Sequence, residues 1–242
     1  MEDRYVSSCY TAIMKFVVLS SSRGTTFQAI LDCLENGSLT AECFGLISDR
    51  EDRGCVEKAH AAGIDVKIVQ KHKGEEREKY DQRLHSAIQS LLAAPHTRRV
   101  PFGAGPCPSG RRACPSGRRA LPQGEGKKGI IALIGWMYIL SPWFVRQYPR
   151  QIINVHPSLL PKYPGLDTHR RVLGAGEKET GMTIHWVDAG LDTGPIIVQK
   201  KCPVFSYDTE SKLKSRVQDL EKEWYPQVLQ MLHSHAPMSL PT

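Results

Sequence analysis

The first ninety residues alternate short apolar runs with amphipathic stretches, and that pattern predicts βα repeats. Phe16–Ser20 reads as a strand; the helix after it opens at Thr25 or Thr26, turns Phe27, Ile30, Leu31 and Leu34 inward, and closes at Gly37. Cys43–Ser48, Gly54–Ala62 and Val66–Val69 continue as strand, helix and strand. Glu75–Leu92 carries Tyr80, Leu84, Ala87, Ile88 and Leu91 near the helical period, with charges on the opposite side. Such alternation predicts a doubly wound α/β fold, a mostly parallel sheet flanked by helices.

The periodicity stops at Pro95 and restarts at Ile130. Between Pro95 and Gly129 lie six prolines, seven glycines and a tandem heptad, Cys107–Ala113 repeated as Cys114–Ala120. That composition supplies no packed core and predicts a long Pro/Gly/Arg-rich loop inserted within one domain. Beyond it, Ile130–Ile134 and Ile152–His156 read as strands, with a short helix Trp143–Tyr148 between them. Met182–Val187 and Ile196–Lys200 are expected to pair as later strands. Leu213, Val217, Leu220, Trp224, Val228 and Leu232 stripe a final helix, which Pro226 is expected to bend or restart. The domain is expected to span 15–233, with an extension at 1–14, the low-complexity loop at 95–129 and a tail at 234–242.

Charge changes this picture only locally. The chain of 242 residues has a formal charge of +7, but Pro95–Gly129 alone holds eight Arg or Lys against Glu125, and the rest is balanced. The folded body is therefore near neutral, and the overall basicity says little about partners. Seven cysteines at 9, 33, 43, 55, 107, 114 and 202 form no CxxC pair and fit a reduced, cytoplasmic protein. The most apolar run, Ile130–Leu140, is about half the length of a spanning helix, and Met1–Met14 lacks the apolar core of a secretory signal. Neither a membrane association nor a leader is expected.

Candidate chemistry begins at Asn154–Val155–His156–Pro157–Ser158. Two polar side chains two residues apart at a strand end point to the same side and line one crevice. A structural histidine with an Asn cap is the competing reading. Downstream, the loop Asp188–Pro195 offers Asp188 and Asp192, either of which can approach His156 or merely close an Asx turn. A carboxylate beside a histidine favours the imidazolium, and an amide donor beside the pair suits a developing oxyanion, so the set fits acyl transfer to an amine. Ser158 lacks a G-x-S-x-G elbow. The turn Ser20–Thr26 combines helix-start amides, Gly24 and hydroxyls into a modest phosphate cradle, and plain N-capping is its alternative. It is neither a Walker A loop nor a dinucleotide fingerprint, and no metal site is expected.

Taken together, Asn154 and His156 within NVHPSLLPKYPG and Asp192 within DAGLDTGP resemble the folate-dependent formyltransferases, and among them the phosphoribosylglycinamide formyltransferases. The resemblance covers roughly 15–233 outside the low-complexity segment. It implies formyl transfer from 10-formyltetrahydrofolate, a cosubstrate, to glycinamide ribonucleotide, with no metal, by a monomer or homodimer. By resemblance, Asn154 donates to the formyl oxygen, His156 as imidazolium supports its charge, and Asp192 orients His156 and shuttles the proton. Gly24, Thr25 and Thr26 match contacts to the nucleotide phosphate, and Glu221 a contact to its ribose. Met137, Tyr138, Ile139 and Leu140 resemble the wall of the folate pocket, faced by Val187–Asp192, with Val187 and Asp188 on the folate. Thr26 stands where asparagine is frequent and Tyr138 where arginine is frequent.

Two rival readings remain. One is another formyl-folate enzyme, acting on methionyl-tRNA, a sugar nucleotide or water. The few residues outside 15–233 leave little for the extra domains expected of a tRNA formyltransferase or a hydrolase, and Lys162–Gly165 resembles the ribonucleotide enzyme more. The other is a nucleic-acid-binding protein working through the Arg pairs at 98–99, 111–112 and 118–119, for which no specific nucleic acid is expected.

Overall fold

The computed structural model describes residues 14–93 and 129–234. The expectations for 1–14, 95–129 and 234–242 fall, apart from edge residues, outside the described residues.

Seven strands form one sheet in the order β3-β2-β1-β4-β5-β6-β7. In chain order the elements are β1 (Met14–Leu19), α1 (Thr25–Glu35), β2 (Ala41–Ser48), α2 (Gly54–Ala61), β3 (Val66–Ile68), α3 (Arg77–Ala93), β4 (Ile130–Leu133), α4 (Pro142–Gln147), β5 (Ile152–His156), α5 (Thr168–Gly174), β6 (Glu179–Trp186), β7 (Ile196–Pro203) and α6 (Glu210–Ser234). The pairs β3-β2, β2-β1, β1-β4 and β4-β5 are parallel, and β5-β6 and β6-β7 antiparallel. The doubly wound, mostly parallel reading holds, with an antiparallel edge of two strands.

The central strands are buried on both faces, which is why they read as near-continuous apolar runs. Along β1, Phe16 and Val18 join the core that contains Phe27, Ile30, Ile153, Val217 and Tyr225. Val17 and Leu19 join the other core, with Tyr80, Leu84, Ile131 and Phe144. β1 lies between β2 and β4, so the chain leaves it in both directions. The crevice beyond the carboxyl ends of β1 and β4 is thus the position where a fold of this kind binds ligands.

The structure departs from the expectations at three points. Of the two outcomes expected at Pro226, a bend or a restart, the restart does not occur: α6 runs through the proline. The proline costs about 3 kcal/mol in a helix interior, whereas burying Tyr225, Val228 and Leu229 around it returns roughly 1.5–3 kcal/mol each. Charges were expected on the outer side of α3, yet Asp81 is buried, where one carboxylate oxygen accepts the Ser141 amide at 2.5 Å. Burial raises its pKa above the ordinary carboxylate value despite that bond. Ser141 in turn caps α4 by accepting from Phe144, so a buried carboxylate on α3 anchors the end of the Met137–Leu140 loop. Finally, α5 was not foreseen, its seven residues being too few to show a period.

Candidate active site

One cavity of about 680 Å³ opens at the predicted crevice. The turn Ser21–Thr26, the loop Ile134–Leu140, the end of β5, the start of α5, the β6–β7 loop and one face of α6 all contribute to its wall. Gly135 permits the first two to meet: its φ is 61°, and an added Cβ would lie 2.8 Å from the Ser22 Cβ. The Ser21 amide donates to the Gly135 carbonyl across the same contact.

β5 delivers Asn154 and His156 into this cavity together, as the spacing predicted. The two candidate carboxylates separate. Asp188 accepts from the Gly190 amide and the Thr193 hydroxyl, so it closes the loop on itself. Asp192, at φ 54°, turns back to His156, with Oδ2 3.3 Å from His156 Nδ1. A non-glycine residue in this left-handed region is uncommon, and here it aims the carboxylate. Asp192 Oδ2 also accepts the Gly165 amide at 2.9 Å, which draws the Pro157–Asp167 segment over the pair.

His185 was missed. It faces Asn154 across the β5-β6 register and is buried. Its Nδ1 lies 2.9 Å from the Trp186 carbonyl, and its Nε2 lies 3.3 Å from the Asn154 amide nitrogen and 3.6 Å from Asp192 Oδ1. The Asn154 amide carries two N–H bonds, so this contact leaves at least one of them for the cavity. Its only signal in the sequence was its alternate position on a strand whose register was unknown.

The electrostatics modify the expected imidazolium. Burial lowers the basicity of His156 below the ordinary histidine value, although Asp192 and the Tyr163 carbonyl both favour the charged ring. Asp192 is itself buried, which works against its charge. The contacts with His185 and the Gly165 amide and the field of His156 outweigh this and hold it below the usual carboxylate range. The resting pair is therefore an ionised Asp192 beside a ring depleted in charge. Yet both ring nitrogens face acceptors, since Nε2 lies 2.8 Å from the Tyr163 carbonyl. A neutral ring has one proton for two acceptors, and a proton gained would satisfy both.

The remaining expected residues divide by position. Thr25, Thr26 and Glu221 line the cavity, and the Thr26 hydroxyl donates to Glu221 at 3.1 Å. Gly24 lies beneath: its amide donates to the Ser22 hydroxyl, and its φ of 75° fits a site where a Cβ would come within 2.7 Å of the Cys55 Cα. Met137, Tyr138, Ile139, Leu140, Val187 and Asp188 all line the cavity. The Tyr138 hydroxyl donates to Asp49, whose carboxylate is also gripped twice by Arg53. Glu221 is only partly covered, but the protein crowding its carboxylate pushes it up to about 7, against the pull of Thr26, Lys214 and Lys222. His169, Lys214 and Gln218 also line the cavity and were not foreseen. Among the described residues no group of His, Cys, Asp and Glu is arranged to hold a metal ion, and no helix is long and apolar enough to cross a membrane.

The Formyl transferase family profile matches residues 14–94 and 125–229, and the chain belongs to that family. Its relatives narrow the class. The phosphoribosylglycinamide formyltransferase of Escherichia coli (strain K12) is 35% identical over 216 residues, which is 89% of this chain and 85% of that protein. The phosphoribosylglycinamide formyltransferase of Bacillus subtilis (strain 168) is 30% identical over 218 residues, 90% of this chain and 94% of its own length. Among solved structures, glycinamide ribonucleotide transformylase 1 from Symbiobacterium toebii matches with a TM-score of 0.74 at 29% identity, covering 92% of this chain and 88% of that one.

Proposed function

We infer that this chain transfers a formyl group from 10-formyltetrahydrofolate to the amine of glycinamide ribonucleotide, a one-carbon transfer in purine biosynthesis. Asn154, His156 and Asp192 are its reacting constellation. The observation that carries the reading is that Asn154, His156 and Asp192 line one cavity, with the Asp192 carboxylate 3.3 Å from the His156 ring.

The substrate amine attacks the formyl carbon, a C–N bond forms, and the carbonyl oxygen gains negative charge. Asn154 donates its remaining amide N–H to that oxygen. The attacking nitrogen must lose a proton, which passes, directly or through water, to the His156–Asp192 pair. Taking it up makes an imidazolium whose two N–H groups meet Asp192 and the Tyr163 carbonyl. Collapse of the tetrahedral intermediate restores the carbonyl and breaks the bond to the folate nitrogen, which receives a proton.

Thr25, Thr26 and Glu221 take the nucleotide at one end of the cavity. Met137–Leu140 with Val187 and Asp188 take the folate at the other. Tetrahydrofolate leaves as product, so the folate is a cosubstrate and no metal is required. The enzyme is cytoplasmic in this reading, and neither a membrane nor a specific nucleic acid is a partner.

The test offers the purified full chain 10-formyltetrahydrofolate with glycinamide ribonucleotide, methionyl-tRNA or water in turn, without ATP and with a chelator present. Formylation of the ribonucleotide at an undiminished rate is expected. Transfer only to tRNA, hydrolysis alone, or a rate restored by one added metal would overturn the reading.

A further inference from the structure

Glu210, Lys214, Gln218 and Glu221 all line the cavity from α6. Their spacing of four, four and three residues puts them on one helical face. The cavity wall as a whole carries the carboxylates of Asp52, Asp167, Asp188, Asp192, Glu210 and Glu221 but only three cations, Arg23, Arg53 and Lys214. This is an unexpected balance for a site whose two ligands are both anions. Arg53 is committed, donating from Nε and Nη2 to Asp49 at 3.1 and 2.7 Å.

Lys214 on α6 and Arg23 in the turn before α1 are in a different position, neither making an ion pair among the described residues. A Glu four residues before a Lys on a helix is the favourable order for an ion pair, yet within the described residues Lys214 makes no ion pair with Glu210 or any other carboxylate. Its charge nevertheless acts on both Glu221 and His169, lowering the carboxyl and the imidazole alike. His169 Nδ1 is itself buried without a hydrogen-bond partner. An exposed cation thus stands on the cavity wall about two helical turns before Glu221, the residue that Thr26 meets.

We propose that Lys214 is a specificity-determining residue for the nucleotide substrate, its ammonium receiving the phosphate monoester between α6 and Thr25–Thr26. This rests on the reading of that end of the cavity as the nucleotide end. The phosphate is the substrate's anionic group and the one a lysine selects. Without Lys214, the α6 wall would present it with two carboxylates and an amide. The ammonium offsets that field and adds a charge-assisted hydrogen bond. The α1 amides bind phosphate weakly by comparison, because their partial charges total about half a unit.

Steady-state kinetics of the full chain, varied in each substrate, tests this with Lys214→Met, Lys214→Arg and Glu221→Ala. For Lys214→Met the KM for glycinamide ribonucleotide should rise by roughly 10- to 100-fold, the effect of one charged hydrogen bond. The kcat and the KM for the formyl folate should stay within about twofold. Lys214→Arg should recover most of the loss. Inorganic phosphate should inhibit wild type competitively against the ribonucleotide and inhibit Lys214→Met far more weakly, and the salt dependence of KM should flatten in the Met variant. Lys214 is exposed, so the fold should be unchanged by circular dichroism.

An unchanged ribonucleotide KM in Lys214→Met, or an effect confined to the folate, overturns the proposal. If Glu221→Ala weakens the nucleotide while Lys214→Met does not, the role of Lys214 alone fails. If neither variant affects it, the nucleotide end has been misplaced and the proposal falls with it.

Discussion

His156 Nδ1 stands 3.3 Å from Asp192 Oδ2, and that same oxygen accepts the Gly165 amide. The Gly165 amide thus helps to fix the carboxylate beside the ring. The carboxylate can hold the imidazole without being free to rotate away, and one contact serves both the geometry of the site and the closure of the segment above it.

Replacing Asp192 with Asn should reduce kcat by ~10²–10⁴-fold, the range of a positioned acid or base. His156→Ala should do the same. The double variant should be little worse than either alone, because the two act as one proton-handling unit. Steady-state rates with circular dichroism decide the matter: near-normal turnover in either single variant removes it from the catalytic set, and an unfolded variant favours a structural role.

Asn154→Ala should lower kcat by ~10²–10³-fold through loss of an oxyanion donor. His185 acts on the site mainly through Asn154, 3.3 Å from its Nε2, and more distantly through Asp192, 3.6 Å away. His185→Phe should therefore lower kcat less than Asn154→Ala does and leave both KM values alone. Adding it to Asn154→Ala should cost little further in rate. Fully additive losses in the double variant would show that His185 acts chiefly through Asp192.

Glu221→Ala should weaken glycinamide ribonucleotide binding by about 10-fold or more, as expected for losing a charged hydrogen-bond acceptor, with saturated turnover nearly retained. Calorimetric affinity set against kcat gives the comparison. A large fall in kcat at unchanged affinity would place Glu221 near the reacting atoms instead.

Glu221 should also leave a mark on stability. Its folded value of about 7 lies above the ordinary 4.5. Between these values the unfolded chain ionises while the folded protein keeps its proton. The contribution is therefore fully present below about 4.5 and is lost as pH rises through about 7. Glu221→Gln stays neutral throughout. Its melting temperature relative to wild type, measured without ligand, should match at pH 4.5 and exceed it by several degrees at pH 8. A difference that does not change with pH would show that Glu221 ionises normally in the fold.

The alternation of apolar runs was enough to read the βα order and the doubly wound sheet, because a strand covered on both faces needs an unbroken apolar run wherever it sits. The same local logic exposed Asn154 and His156, since a period of two sends them to one side whatever the neighbours are. The residue pattern limited the partner of His156 to Asp188 or Asp192, and only the family resemblance picked Asp192. The choice depended on a left-handed turn at Asp192 and on which carboxylate the loop consumed for its own amides. His185 became the partner of Asn154 only through the antiparallel register of β5 and β6, and shifting that register by one residue would have turned it away. The sign of the His156 shift was likewise a property of the assembled protein. A neighbouring carboxylate is visible in sequence, but the burial that outweighs it exists only after β5, β6 and the Pro157–Asp167 segment enclose the ring. Glu221 was placed only through the family resemblance and Lys214 not at all, because period alone cannot tell which polar stripe of a helix meets water and which meets a cavity. Packing α6 beside α1 decided that, and with it which charges face the ligands.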